Sequence, residues 1–353
     1  MPRLTHKAIV KGLFAAVLLA SGTTVAQTDT QLALTQIGYL IDDALFFSDK
    51  YITPATDAAV YQSSSAWVRS PKAKGLFEVS FGLHANVFFT PQRDRTLKIQ
   101  NSDFSFFQLE QGTEATVPTA LGNDRQVYLV GTLGGSQVRL ETPEGIDMQT
   151  VAYPYLQGSI GLWYDTELIA KYSTRVKLKK SNYQVYGVGL KHTVSRYFKG
   201  LEENHIHVSL MAGYSNEEVS FNFLDVKTDY GTLGIDEITG LVDTWQFQLN
   251  GSKEFGKWEA MAGFIVNTSD IRYNVSGPKG SIEQILPLQQ ILNMRLEEIY
   301  KTKVNYIGEA AIRYNIGNFD VQTILAFGKF VNTNISLHYT INNKNNKPQT
   351  QEL

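Results

Sequence analysis

Two histidines and a serine alternate along the stretch HIHVSLMAGY, at His205, His207 and Ser209. A spacing of two residues would place all three side chains on one face of a β-strand. Two imidazoles at this spacing could supply two metal ligands, and a histidine with the serine could supply a base and a nucleophile. Because no acidic side chain stands beside them as a third member, the sequence predicts neither a metal site nor a catalytic site here.

Composition argues against several other kinds of chemistry. The 353 residues include no cysteine, so thiol catalysis and thiolate metal sites are not expected. The 32 basic and 34 acidic residues give a net charge of −2, and a protein without a basic face is not expected to bind nucleic acid. The stretch GTLGGS at 131–136 lacks the lysine and the helix of a phosphate-binding loop, so it predicts a hairpin turn. We therefore expect no enzyme activity, no metal and no cofactor.

Alternation of apolar and polar residues is the main pattern of the chain, and it predicts β-strands. In GLFEVSFGLHANVFF, the odd positions from Phe77 to Val87 are apolar, while the even positions from Glu78 to Asn86 are polar or glycine. ELIAKYSTRVKL, DTWQFQLNGS and several later stretches repeat this pattern. Such segments have about the length that a tilted strand needs to cross a lipid bilayer.

The repeated alternation predicts an all-β fold, a transmembrane antiparallel β-barrel of about 14 strands. The barrel is predicted to occupy residues 75–341, and the long connections 89–125 and 277–301 fall on one side of the membrane, with 226–240 on the other. The predicted strands cover 76–88, 126–131, 136–142, 155–164, 167–178, 183–195, 204–215, 217–225, 241–252, 257–268, 270–276, 302–315, 318–330 and 334–341.

The N-terminus favours a membrane location for this barrel. Residues 1–26 combine three basic residues with the apolar run GLFAAVLLA and a small-residue cleavage site at Ala26, which predicts a signal peptide. Plentiful aromatic residues, 18 Tyr and 19 Phe, could form interfacial girdles. A soluble β-sandwich is the alternative, since alternation alone fits both folds. The predicted location is the bacterial outer membrane.

Two segments do not alternate. Residues 27–74 show helical spacing up to Phe46 and Phe47, then Pro54 is expected to end that helix and a second short helix is expected to follow. We interpret this segment as a helical plug of the barrel, with an arm packed below the barrel as the alternative. The polar tail 342–353 follows the last strand.

The second exception is the loop insertion at 281–300. An apolar stripe along it predicts an amphipathic helix that could cover the barrel mouth or form a groove for an apolar ligand, or merely pack on neighbouring loops. The stripe includes four candidates for a substrate path, Ile285, Leu288, Leu292 and Leu296.

Charged and glycine residues within the strands have structural interpretations. Seven charged residues are predicted to form ion pairs in the lumen: Glu167, Lys171, Arg175, Lys177, Lys303, Glu309 and Arg313. Four glycines could let a strand bend and form a lateral gate, or could simply thin the wall: Gly158, Gly161, Gly187 and Gly189.

This layout resembles the outer-membrane long-chain fatty-acid transporter (FadL-like) family, in particular its divergent Bacteroidota members. The resemblance rests on the secretion signal, the semi-helical N-terminal segment, about 14 strands and the helical loop, and it covers the whole mature chain. It implies a hatch inside the barrel, containing Phe46 and Phe47, and a hydrophobic groove containing Leu288 and Leu292. It also implies a lateral path from the lumen to the bilayer.

The function predicted from these features is an outer-membrane channel for diffusion-driven uptake of hydrophobic or amphipathic small molecules. The alternative is a barrel scaffold of a secretion or surface-attachment complex. Expected partners are outer-membrane lipid and a hydrophobic small molecule, with protein partners in the scaffold case, and the protein is expected to be a monomer.

Overall fold

A computed structural model of the chain describes residues 24–133, 135–178, 181–222, 227–228, 231–232, 235–279 and 287–341. The predicted signal peptide up to residue 23 and the polar tail 342–353 lie outside the described residues. The chain divides into two compact units. Three segments form the first unit, namely Met1–Phe47, Lys98–Ala115 and Val127–Thr142, and three form the second, namely Ser48–Leu97, Thr116–Gln126 and Pro143–Leu353. None of the described helices is both long and apolar enough to cross a membrane.

The described residues form three α-helices and 18 strands. The helices are α1 (Thr24–Ser64), α2 (Lys199–Glu203) and α3 (Leu288–Leu296). The strands are β1 (Val79–Phe89), β2 (Thr96–Gln100), β3 (Gln108–Leu109), β4 (Glu114–Pro118), β5 (Tyr128–Leu133), β6 (Ser136–Glu141), β7 (Thr150–Gly161), β8 (Thr166–Tyr172), β9 (Val176–Leu178), β10 (Ser181–Thr193), β11 (Ile206–Asn222), β12 (Lys227–Thr228), β13 (Gly231–Thr232), β14 (Glu237–Phe255), β15 (Trp258–Ser276), β16 (Lys301–Ile316), β17 (Phe319–Phe327) and β18 (Val331–Ile341).

Ten strands of the second unit form one closed antiparallel barrel. Around the wall they follow the order β1, β7, β8, β10, β11, β14, β15, β16, β17 and β18, and β18 pairs with β1. The pairing of β10 with β11 completes the ring. The all-β class and the antiparallel barrel predicted from alternation are therefore confirmed, and the sandwich alternative is excluded because there is one ring and not two stacked sheets.

The predicted number of about 14 strands is wrong, since four predicted strands are not separate wall strands. Segments 126–131 and 136–142 correspond to β5 and β6, which join β3 in a small separate sheet. Residues 217–222 are part of β11, while 223–225 lie outside the described residues, and segment 270–276 is part of β15. Polar residues near the predicted turns resembled turn residues in the sequence. In the structure they stay within the strands and make hydrogen bonds inside the barrel, as the Asn267 side chain does to the Ser64 hydroxyl (2.8 Å).

The wall is apolar outside and polar inside. Large apolar side chains on its outer face are exposed, for example Phe247 (66%) and Tyr306 (62%), whereas the inward carboxylates of Glu259 and Asp320 are fully enclosed. A protein in water would hide the first kind of side chain and expose the second. A barrel surrounded by lipid requires this reversed arrangement.

The two ends of the barrel differ in their connections. At one end, the short-turn end, strands are joined by 162–165, 194–205, 256–257 and 317–318. At the other, the long-loop end, lie the connections 90–149, 223–236 and 277–300. The prediction that 226–240 emerges opposite the other two long connections was wrong. The predicted strands that begin at 217 and 270, one before and one after this connection, continue β11 and β15 and do not reverse the direction of the chain. In outer-membrane barrels the long loops face the outside of the cell.

Helix α1 runs past Pro54 without a break, so the predicted pair of short helices is one helix. Contacts with the wall hold the helix on both sides of the proline. Asp49 pairs with Lys301 and Asp57 pairs with Lys303, both at the start of β16, while the Tyr51 hydroxyl donates to the Glu144 carbonyl oxygen (2.6 Å). Burial raises the pKa of this tyrosine. These interactions outweigh the cost of one proline inside the helix.

The first unit contains the three-stranded sheet of β3, β5 and β6 and the beginning of α1. The Asp43 carboxylate of α1 accepts three hydrogen bonds from the consecutive backbone N–H groups of Ser105, Phe106 and Phe107 (2.7 to 2.8 Å). Phe46 packs edge-on against Phe104, with ring centres 5.7 Å apart. A buried carboxylate with three donors is well satisfied, so this contact fixes the loop against the helix.

Candidate functional site

The lumen of the barrel contains residues 61–74, which we call the lumen segment. It consists of the last turn of α1 and an extended stretch that leads to β1. Its backbone carbonyl groups accept hydrogen bonds from inward side chains of six different wall strands. The bonds are Lys171 to Ser63 (3.0 Å) and Ser65 (2.8 Å), Gln248 to Ser64 (3.0 Å), Gln157 to Trp67 (2.9 Å), Gln322 to Arg69 (3.0 Å), Asn332 to Tyr61 (3.4 Å), Lys191 to Ser70 (2.6 Å) and Thr193 to Pro71 (2.8 Å).

Trp67 is the largest fully buried side chain of the segment. Its indole N–H donates to the Ser63 carbonyl oxygen (2.6 Å), and its ring lies against Gly187 and Gly189 of β10. A Cβ added at Gly187 would come within 2.8 Å of the ring. The glycines therefore make room in the wall for the indole.

Ion pairs hold the lumen segment at the short-turn end. Arg69 pairs with Asp320, Lys72 with Glu254 (2.9 Å), and Lys74 with Glu167 (3.3 Å). Burial lowers the pKa of Lys74, and the carboxylate of Glu167 opposes this shift. A cavity of about 100 Å³ lies here, lined by Arg69, Ser70, Lys72, Ala73, Lys74, Glu78, Glu167, Lys191 and Arg313. The cationic side chains around this cavity pair with neighbouring carboxylates, so we do not interpret it as an anion-binding site.

The wall has a gap in its long-loop half. Strand β7 pairs with β8 only from Leu156 to Gly161, so its residues 150–155 pair with β1 on one side and, among the described residues, with no strand on the other. The chain leaves β8 at Tyr172 and resumes as β9, which pairs with β10 alone. The gap therefore lies between 150–155 of β7 and 173–178.

The gap lies at the level of the apolar outer face. Opposite Thr150 and Ala152 in the register are Phe89 and Val87 of β1, and Phe89 is exposed on the outside (48%). Pro154 stands in the middle of the unpaired stretch. A proline lacks the N–H that a second neighbouring strand would need, so it is tolerated at a strand edge.

An apolar cavity lies directly inside this gap. Its volume is about 30 Å³, and it separates α1 from the wall. The lining residues are Ala55, Ala58, Ala59, Gln62, Phe88, Leu121, Ile146, Val151, Tyr153, Ser181, Tyr183, Val219 and Phe221. Val151 and Tyr153 belong to the unpaired stretch of β7, so this stretch borders both the cavity and the gap.

The substrate-path candidates from the sequence do not line this cavity. Phe46 packs on Phe104 in the first unit, which also contains Phe47. Leu288, Leu292 and Leu296 are buried on α3, which Asn293 ties to the backbone of Val275 in β15 (2.7 and 3.0 Å). Ile285 lies outside the described residues.

The glycine candidates lie in the paired part of the wall. Gly158 and Gly161 pair with Ala170 and Glu167 of β8, and Gly187 and Gly189 pair across to β8 as well. The signal in the sequence that marks the gap is Pro154, within an otherwise regular strand pattern, and it was not used in the prediction.

The inward charges predicted from the sequence mostly contact the lumen segment or α1. Lys303 pairs with Asp57, and the Glu309 carboxylate accepts the backbone N–H of Ala66 (2.8 Å). Arg313 of β16 pairs with Glu259, directly opposite it on the neighbouring strand β15 (2.5 Å). Arg175 differs, since its partner Glu218 and the guanidinium itself are on the outside.

The alternating histidines are separated by the structure. His205 precedes β11 with φ of 58° in a turn, while His207 lies inside, between Glu202 (3.5 Å) and Glu254 (3.3 Å). Ser209 faces inward and is fully buried. Within the described part of the chain, no group of three or more His, Cys, Asp or Glu side chains could hold a metal ion.

Comparison with known proteins identifies a family and several barrels. A sequence model of DUF6588, a family of unknown function, matches residues 5–341, so the chain belongs to this family. No curated protein matches the chain.

Three solved structures illustrate the similarity. The translocator domain of the autotransporter NalP from Neisseria meningitidis is 8% identical and has a TM-score of 0.32, over 82% of this chain and 95% of its own. The outer membrane protease OmpT from Escherichia coli is 11% identical with a TM-score of 0.28, over 79% and 100%. The beta domain of the Bordetella autotransporter BrkA is 6% identical with a TM-score of 0.31, over 75% and 100%.

Proposed function

We propose that this member of the DUF6588 family is an outer-membrane channel for hydrophobic or amphipathic small molecules, which pass sideways through the gap beside β7. The single observation that supports this proposal most strongly is the apolar cavity directly inside a gap that opens at the level of lipid.

The physical reason is the cost of an unpaired strand edge in hydrocarbon. Backbone N–H and C=O groups that face lipid without a partner cost several kcal/mol each, roughly, so open edges are normally absent at this depth. The stretch 150–155 is such an edge on its β8 side. An edge retained here despite its cost is consistent with a function for the opening.

The lumen segment would act as a plug in this proposal. Side chains of six wall strands bind its backbone, so a solute cannot follow the barrel axis past Trp67 without displacing it. A molecule that enters from the long-loop end would therefore leave through the gap into the bilayer. Because the cavity measures only about 30 Å³, its occupation requires a shift of α1 or a wider gap.

The alternative function is a scaffold barrel that holds a partner protein. The observation in its favour is the lumen segment, which is bound to the wall inside the barrel, because a scaffold needs no passage for a solute. The two functions differ in what they require of the gap: a scaffold would tolerate its closure, whereas the proposed channel would not.

The test is to close the gap covalently. Since the chain has no cysteine, the double variant Ala152→Cys with Lys177→Cys, two exposed positions of β7 and β9, offers a unique pair for a bis-maleimide across the gap. The purified protein is placed in liposomes, and uptake of a labelled apolar solute is measured before and after the reaction. We expect the bridge to reduce uptake to that of empty liposomes.

The control pair is Ala260→Cys with Ile312→Cys. These residues are directly opposite each other on β15 and β16, on the outer face of the continuous wall. Their bridge should leave uptake unchanged. Undiminished uptake through the bridged gap would refute lateral passage, and absence of uptake by the unmodified protein would favour the scaffold.

A further inference from the structure

We infer that the apolar cavity receives the uncharged hydrogen-bonding end of a long-chain molecule, such as an alcohol or an ester, and rejects an ionised carboxylate. This inference rests on the proposed function, because it assigns the ligand class of the same cavity.

The lining of the cavity contains no charged side chain. All 13 lining residues are alanine, larger apolar residues, two tyrosines, a glutamine and a serine. A carboxylate that entered would lose its hydration with no cation to replace it. An alcohol or an ester loses far less, since a single hydrogen bond can compensate for its burial.

Gln62 supplies the polar group for such a bond. Its side chain is 5% exposed and lines the cavity from α1, and its amide makes no hydrogen bond to any described residue. Three other inward amides, those of Gln157, Gln248 and Gln322, each donate to the lumen segment. Because a buried amide normally has a partner, the amide of Gln62 can donate to or accept from a ligand that enters the cavity.

The two tyrosines that line the cavity add a second argument against an anion. The Tyr153 hydroxyl accepts a hydrogen bond from Asn86 (2.7 Å), and the Tyr183 hydroxyl donates to the carboxyl group of Glu217. Glu217 is fully buried behind Tyr183. Neither the tyrosines nor this carboxyl group offers a cation to a carboxylate in the cavity, whereas a hydroxyl or ester group needs none.

Photo-crosslinking in lipid nanodiscs tests the inference. The probes are palmityl alcohol and palmitic acid, each with a diazirine near the polar end, at alkaline pH where the acid is ionised. Mass spectrometry measures the labelled fraction of peptides containing 55–62 and 151–153. We expect the alcohol to label these peptides about tenfold more than the acid.

Two variants sharpen the comparison. Gln62→Leu should reduce labelling by the alcohol, and Gln62→Lys should raise labelling by the acid, because it places a cation in the cavity. Gln108→Leu, a change on the exposed surface of β3, is the matched control and should change neither. The shift in electrophoretic mobility on heating verifies that each variant is folded.

The outcomes separate the inference from the proposed function. Equal labelling of the cavity peptides by acid and alcohol would overturn the inference and leave the channel proposal standing. Labelling by neither probe would overturn both. If Gln62→Lys does not fold, the two probes on the natural protein still decide the question.

Discussion

The ammonium group of Lys171 lies 4.5 Å from the centre of the Trp67 ring. Lys171 projects inward from β8, and Trp67 belongs to the lumen segment, so one side chain joins wall and segment near mid-barrel. The same ammonium donates to the carbonyl oxygens of Ser63 and Ser65. Cation–π attraction and two charge-assisted hydrogen bonds thus act at one point.

Replacing Lys171 by methionine should therefore loosen the lumen segment. The variant removes the lysine donor of the Ser65 carbonyl group and one of the two donors of the Ser63 carbonyl group. We therefore expect the free energy of unfolding to fall by about 1–3 kcal/mol. Urea unfolding in lipid vesicles, followed by tryptophan fluorescence, measures the loss. The matched control is Lys301→Met, which removes a partly exposed pair with Asp49 at the rim and should cost about 1 kcal/mol or less.

Two glycines that the sequence suggested as gate positions should respond differently to alanine. A Cβ at Gly187 would lie 2.8 Å from the Trp67 ring and 2.6 Å from the Tyr214 carbonyl oxygen, whereas one at Gly158 would meet nothing closer than 3.9 Å. We expect Gly187→Ala to destabilise the protein by about 1–3 kcal/mol, and Gly158→Ala to change the free energy of unfolding by about 0.5 kcal/mol or less. Equal urea midpoints for the two variants would contradict this assignment of Gly187.

Breaking the buried pair of Arg313 and Glu259 should lower the free energy of unfolding far more than breaking a surface pair. Glu259 is fully enclosed and also accepts a hydrogen bond from Ser70 (2.8 Å). Glu259→Gln would leave the guanidinium without a counter-charge, so we expect a loss of about 3–5 kcal/mol in unfolding free energy. Glu298→Gln, which breaks the exposed pair with Arg295, should cost about 1 kcal/mol or less and controls for the change of charge.

Removing the Trp67 side chain should make the barrel leak. The ring fills the lumen beside two glycines, so Trp67→Ala leaves a void and costs about 3–5 kcal/mol of packing energy. We expect planar-bilayer recordings to show more frequent openings than for the natural protein. Trp258→Ala, at an exposed position on the outer rim, should record as the natural protein does. Silent recordings from Trp67→Ala would show that the lumen segment blocks ions without the indole.

The orientation in the membrane follows from the connections and can be tested on cells. Lys257 lies in the turn between β14 and β15 at the short-turn end, and Lys279 lies in the loop after β15 at the long-loop end. With long loops outside, an impermeant maleimide should label Lys279→Cys on intact cells. It should label Lys257→Cys only after the outer membrane is opened, and the reverse pattern would invert the assignment.

Alternation alone predicted the two faces of the wall strands correctly. The odd positions of β1 after Phe77 do point outward, and His84 and Asn86 point into the enclosed interior. The reason is the period of two in any strand, which holds whatever the neighbours are. The number of strands was not predictable in this way, since Asn267 and Glu217 stay within long strands only because inward partners satisfy them.

By itself, the sequence therefore determined the kind of wall and the solvent on each side of it, because side-chain period and polarity are local properties. Only the tertiary structure decided that α1 continues through Pro54, that residues 61–74 lie in the lumen, and that β7 has an unpaired edge beside an apolar cavity. Each of these depends on which distant residue satisfies a charge, a carbonyl group or a strand edge. Pro54 and Pro154 mark two of these places, but a proline shows only that an N–H is missing and not which contact compensates for it.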